Sequence, residues 1–173
     1  SHAAAAGIDS YDAALKKVKE VKAALDPLKS KNRLKNWVNL GLQLEGLKKG
    51  SDVNGRDAMT WSPLAWAAYV GDKEIFDYLL SKGANPKAVD QYGISIFMRA
   101  VEVKYLMEEC KYDANEKDRE FGTTALMRAA TCRRNDILAY LIDRKASVKA
   151  RDKGGRNVLA YAADGRNMDG MEM

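Results

Sequence analysis

The chain has 173 residues, 46% of them hydrophobic and 31% charged, and a net charge of +5. That length and balance suit one soluble globular domain with a real core. No run approaches the 18 consecutive apolar residues of a membrane span, and the single histidine, His2, removes Ser-His and Cys-His nucleophile pairs and most zinc sites.

The start, "SHAAAAGID", has neither the basic region nor the apolar run of an intact signal peptide. It reads as a cloning scar or as the new end left by processing. Two cysteines, Cys110 and Cys132, are too few for a disulfide framework and read as free thiols of a reducing compartment. A cytoplasmic location is favoured; a secreted or periplasmic one stays open if the start is a processed end.

The charge is uneven. Residues 1–56 carry 11 Lys/Arg against 6 Asp/Glu, and residues 57–173 carry 18 of each. Ile8, Tyr11, Leu15, Val18, Val21, Leu25 and Leu28 recur at helical spacing, which predicts an amphipathic helix ending near Pro27. A second helix is predicted around 31–48, with Leu34, Trp37, Val38, Leu42 and Leu47 on its apolar positions. The lysines of this segment read as a solvated helix face rather than as a nucleic-acid stripe. Asp9, Asp12, Glu20 and Asp26 oppose an anionic membrane surface.

From residue 62 a pattern repeats. "SPLAWAA" at Ser62 returns as "SIFMRAV" at Ser95, "TALMRAA" at Thr124 and "NVLAYAA" at Asn157, at spacings of 33, 29 and 33 residues. Ser62, Ser95, Thr124 and Asn157 are all able to cap a helix N-terminus. Pro63 suits the first helical position. Leu64, Phe97, Leu126 and Leu159 are the core positions of the first helix. Second helices are anchored by Ile75, Leu79 and Leu80, and by Ile137, Leu141 and Ile142. Gly83 is placed to end a helix in the left-handed conformation, and Gly93, Gly122 and Gly155 serve the turn before the next helix.

This unit resembles the ankyrin repeat, whose signature is T-P-L-H-x-A. The resemblance covers roughly residues 31–173. Copies at 57–89 and 119–151 match closely, that at 31–56 is degenerate, that at 90–118 is short and that at 152–173 is partial. The resemblance implies an all-α solenoid of stacked helix-turn-helix units with finger-like β-turns. Residues 1–30 are read as its N-terminal capping helix, since a solenoid needs an end with one polar face. The last copy lacks an apolar second helix, so the natural chain is expected to continue past Met173.

Three departures matter. Ala65, Met98, Met127 and Ala160 replace the family's histidine. Thr60 stands where other copies have glycine, and a β-branched residue disfavours positive φ, so this turn is expected to take another shape. The 90–118 copy is clipped and is expected to be the soft joint.

The resemblance implies a non-catalytic module that binds a partner protein through its fingers and concave face. The position before each repeated alanine holds Trp66, Arg99, Arg128 and Tyr161, read as an exposed ladder. Trp61, Tyr69, Tyr92, Ile94, Phe121 and Arg156 flank it. Aromatics beside arginines are the composition of interface hot spots. The two ladder arginines point to an acidic or carboxylate-bearing partner segment. No catalytic constellation, metal site, cofactor or small-molecule substrate is expected, and nucleic acid is disfavoured as a partner. Two other readings stay open: binding of an anionic surface, nucleic acid or lipid, through the lysine-rich N-terminal helix, and an accessory domain of a larger enzyme.

Overall fold

The computed structural model describes residues 7–91, 93–96 and 112–164. Composition predicts one domain, but the chain divides into two compact units, Ser1–Ala88 and Val89–Met173. Repeats touch only their neighbours, so a repeat chain has no single centre to gather around.

Unit 1 holds, among its described residues, four helices: α1 (Tyr11–Ala24), α2 (Lys31–Lys48), α3 (Pro63–Val70) and α4 (Lys73–Ser81). Ser10 caps α1 by accepting from the Ala13 amide at 3.1 Å. α2 packs against both α1 and α3. Trp37, Leu40, Leu44 and Leu47 form its buried face. Gly41 lets α1 come close, because a Cβ there would lie 3.2 Å from Val18 Cγ1. Ser62 caps α3 and Asp72 caps α4, at 3.2 and 2.9 Å. Lys17 of α1 reaches across to Asp72 at 2.8 Å and Glu74 at 3.2 Å. Burial lowers its pKa, but the bonds to these two carboxylates outweigh that and hold it above the usual lysine value.

Unit 2 contains, among its described residues, α5 (Ala125–Thr131), α6 (Asn135–Asp143) and α7 (Val158–Asp164). α5 packs against both α6 and α7. Thr124 and Asn157 cap α5 and α7. Ser95 and Ile96 are buried. The clipped copy continues through residues 97–111, which lie outside the described residues. An isolated bridge joins Val89 to Ser95 at the base of a finger.

Asparagines tie successive turns within each unit. The Asn54 side chain donates to the Gly83 carbonyl and accepts from the Asn85 amide at 2.8 Å. Asn115 repeats this with the Lys145 carbonyl and the Ser147 amide, the latter at 2.7 Å.

The expectation that Thr60 changes its turn is corrected. Thr60 takes φ 64°, in the same left-handed region as Gly93 and Gly155. The Asp57–Trp61 turn closes with the same backbone bond, Asp57 N–H to Trp61 C=O at 2.9 Å, as its counterparts. The closing bonds and the packing of Trp61 outweigh the cost of a β-branched residue at positive φ. Arg133 and Lys145, at φ 54° and 69°, likewise stand where the earlier copy has Gly71 and Gly83.

Candidate interaction surface and the finger clamp

Each finger is built around one aspartate: Asp57, Asp90, Asp118 and Asp152. Its backbone amide closes the turn by donating to the carbonyl of Trp61, Ile94, Thr123 and Arg156 respectively. Its carboxylate then collects amides inside the turn. Asp57 Oδ1 accepts from Met59 and Trp61, Asp90 Oδ1 from Ile94, and Asp118 from Phe121 and Thr123. Asp152 Oδ1 accepts from Gly154 and Arg156. Such local bonds satisfy donors that a tight turn would otherwise leave open.

The second carboxylate oxygen reaches the helix that follows. Trp66 Nε1 donates to Asp57 Oδ2 at 2.8 Å. The Tyr161 hydroxyl donates to Asp152 Oδ2 at 2.6 Å. Arg128 lies 3.7 Å from Asp118 Oδ2, and the Asp118 side chain is fully buried. Trp66, Arg128 and Tyr161 are ladder positions. The ladder side chains therefore fasten finger to helix through an indole, a guanidinium and a phenol.

This corrects the expectation of an exposed ladder. Trp66 is 2% exposed, in a ring cluster with Trp61 at 4.4 Å and Tyr69 at 6.2 Å. Trp61 is 7% and Ile94 5% exposed, so neither is a surface anchor. Trp66 sits between the finger and its own helix, where burial and the Asp57 acceptor hold it. Tyr69 and Tyr161 are half-buried. Arg128 keeps only 22% of its side chain exposed. Phe121 is 54% exposed at a finger tip, and Arg156 is exposed, over the Tyr161 ring and paired with Asp164. Tyr92 and Arg99 lie outside the described residues.

Sequence reasoning missed the aspartates. They stand five residues ahead of Ser62, Ser95 and Asn157, and six ahead of Thr124. That recurrence was available as a signal. The extra residue before Thr124 lengthens that finger and explains why Arg128 follows its aspartate by ten positions, whereas Trp66 and Tyr161 follow theirs by nine.

Within unit 2 the fingers also bind one another. Arg119 donates to the Gln91 carbonyl at 3.1 Å, Lys117 to that of Arg151 at 2.8 Å, and the Lys153 amide to that of Phe121 at 2.9 Å. Gly93 allows this approach, because a Cβ there would fall 2.7 Å from the Arg119 backbone nitrogen.

Two side chains of unit 2 are shifted by burial. Burial pushes the Cys132 thiol upward, away from the thiolate form. Burial, then the bond to Asp152, pushes Tyr161 up to about 12. Among the described residues no group of three or more His, Cys, Asp or Glu side chains is placed to hold a metal ion, and no helix is long and apolar enough to cross a membrane.

Capped helix pairs joined by aspartate-centred fingers define a repeat protein of the helix-turn-helix class. The ankyrin-repeat family matches residues 99–173, and a single ankyrin repeat matches 60–91. The chain belongs to the ankyrin-repeat family. It is 32% identical over 140 residues to Palmitoyltransferase AKR1 of Lachancea kluyveri, covering 73% of this chain and 19% of that protein. It is 32% identical over 116 residues to Alpha-latrocrustotoxin-Lt1a of Latrodectus tredecimguttatus, covering 64% of this chain and 8% of that protein. The chain thus spans less than a fifth of the length of either relative.

Proposed function

We propose that the chain is a non-catalytic module that binds a partner protein through its finger tips and first-helix row. The observation that carries this is the finger clamp. Each described aspartate fixes its turn, and Asp57, Asp118 and Asp152 also engage the following helix, so the tips are held before any partner arrives. Preorganised loops lose less ordering entropy on binding. Phe121 is the leading anchor, exposed at a tip whose carbonyl is held by Lys153. Within unit 2, Arg156, Tyr161 and the exposed part of Arg128 accompany it, Tyr69 is the candidate of unit 1, and Tyr92 and Arg99 are retained from the sequence. An acidic or carboxylate-bearing partner segment fits the arginines. In this reading α1 forms the cap and α2 belongs to the degenerate first repeat; the compartment is cytoplasmic, or secreted or periplasmic if the start is a processed end.

The test is affinity capture from native extract with the intact chain, followed by Phe121→Ala. Loss of one captured protein by that variant, with an unchanged melting curve, supports the reading. A captured set indifferent to Phe121→Ala and to Arg156→Ala defeats it. A second reading, an interaction region attached to a larger enzyme, is favoured by the palmitoyltransferase relative, of which the match is a small part. The intact mass of the natural protein distinguishes it.

A further inference from the structure

The other face of the α1–α2 pair is not explained by the fingers. α2 buries Trp37, Leu40, Leu44 and Leu47. Val38, Gly41, Leu42 and Glu45 recur at three- and four-residue spacing on a different face. Together with Leu15 and Val18 they line a groove of about 690 Å³ between the two helices. Leu42 lies on it with 66% of its surface exposed. Leu42 thus presents an apolar side chain to solvent on the groove lining, beside Val38 and Leu15.

The rim is charged with a definite asymmetry. Lys16, Lys19 and Lys22 line it on the α1 side. Their neighbours are occupied elsewhere: Lys17 with Asp72 and Glu74, and Lys48 with Asp12 at 2.7 Å. Among the described residues, Lys16, Lys19 and Lys22 have no carboxylate in ion-pair reach. The three recur every three residues, about 9 Å from first to last along the helix. Acidic groups on the lining are Asp12, already neutralised by Lys48, and Glu45.

We propose that this groove docks one amphipathic helix of a partner protein. Its apolar stripe lies on Leu42, Val38 and Leu15, and an acidic flank faces Lys16, Lys19 and Lys22. A helix laid in an apolar groove is read at positions i, i+3, i+4 and i+7. The spacing of the three lysines matches carboxylates one turn apart on such a helix. A bilayer fits less well. It is flat where this surface is concave, and Glu45 opposes an anionic sheet along the α2 rim. The site shares no residue with the finger surface, so the two stand or fall separately.

The test uses the full chain and a fluorescein-labelled 18-residue helical peptide with leucines at alternating three- and four-residue spacing and glutamates along one flank. Expected are saturable anisotropy and amide shifts centred on Leu15, Val38 and Leu42. Binding should fall at least tenfold in Leu42→Glu and in Lys19→Glu/Lys22→Glu. It should weaken with salt, and a lysine-flanked version of the peptide should not bind. Melting curves establish that the variants fold, and if Leu42→Glu does not, the lysine double variant carries the result. The proposal is overturned by absent saturation, by equal binding of the lysine-flanked peptide, or by shifts placed elsewhere. Leu42-dependent binding to 3:1 phosphatidylcholine–phosphatidylserine vesicles in place of the peptide also overturns it.

Discussion

The indole N–H of Trp66 donates to Oδ2 of Asp57 at 2.8 Å, while Oδ1 of the same carboxylate holds two turn amides. One side chain therefore joins a finger to the helix it precedes. Asp57→Ala strands three donors, of which the Trp66 indole is buried, and is expected to cost about 2–4 kcal/mol. Trp66→Phe keeps most of the ring packing but leaves Asp57 without its helix partner, and should cost about 1–2 kcal/mol. The double variant should cost less than the sum, since both single changes break one bond. Additive denaturant midpoints would show that the bond contributes nothing.

Arg128 takes the same position opposite Asp118. Asp118 is buried and carboxylate-bearing, so removing Arg128 leaves its charge with only the turn amides and the Thr123 hydroxyl. Arg128→Ala is expected to destabilise by about 1–3 kcal/mol, above the range of an ordinary surface change. A melting temperature within one degree of the parent would return Arg128 to the free surface.

How much of this was legible follows from what periodicity encodes. Ser62, Thr124 and Asn157 share a register and a chemistry, so their capping role reads directly from the sequence. The ladder positions share the register but not the chemistry. An indole, a guanidinium and a phenol look like three different surface groups until the aspartate nine or ten residues earlier is seen as their common acceptor. Size and polarity placed Trp66 outside, whereas one good acceptor suffices to bury it. Thr60 was hidden for a related reason. Its residue type speaks against the turn, and only the closing bonds of Asp57 show why the turn persists.

Gly93 and Gly155 separate two reasons for a turn glycine. Both have positive φ, at 76° and 83°. A Cβ on Gly155 meets nothing within 4 Å, whereas on Gly93 it meets the Arg119 backbone. Gly155→Ala should therefore cost only the conformational term, about 1–2 kcal/mol. Gly93→Ala must also push two fingers apart and should cost clearly more, about 2–4 kcal/mol. Equal losses in urea unfolding would mean that the fingers separate without cost.

The reverse substitution tests the non-glycine residues. Thr60, Arg133 and Lys145 hold φ values of 64°, 54° and 69°. Replacing each by glycine removes left-handed strain but raises the entropy of the unfolded chain. For β-branched Thr60 the strain term is the larger, so Thr60→Gly should stabilise by about 0.5–1 kcal/mol. Lys145→Gly should gain less. A lowered melting temperature for Thr60→Gly would mean that its side chain contributes more than the strain removes.

Tyr161 and Asp152 give a test by titration. Burial first, and the bond to Asp152 second, push the Tyr161 phenol up to about 12. Asp152 moves the other way: the Tyr161 hydroxyl, then the Arg156 amide, hold its carboxyl below the ordinary value. A phenol raised in the folded state stabilises the fold below its unfolded pKa of about 10, and that contribution is lost as pH climbs through about 12. A carboxyl depressed in the folded state stabilises above its unfolded pKa and loses this as pH falls through the folded one. Across neutral pH the pair is thus fully engaged, and it weakens at both extremes. Carbon-13 spectra of the tyrosine Cζ should show one resonance titrating near 12 that vanishes in Tyr161→Phe. In Asp152→Asn the same resonance should move back toward 10, because the charged acceptor is gone while the burial stays. If it still titrates near 12 in that variant, burial alone sets the value and the clamp on this finger has no electrostatic part.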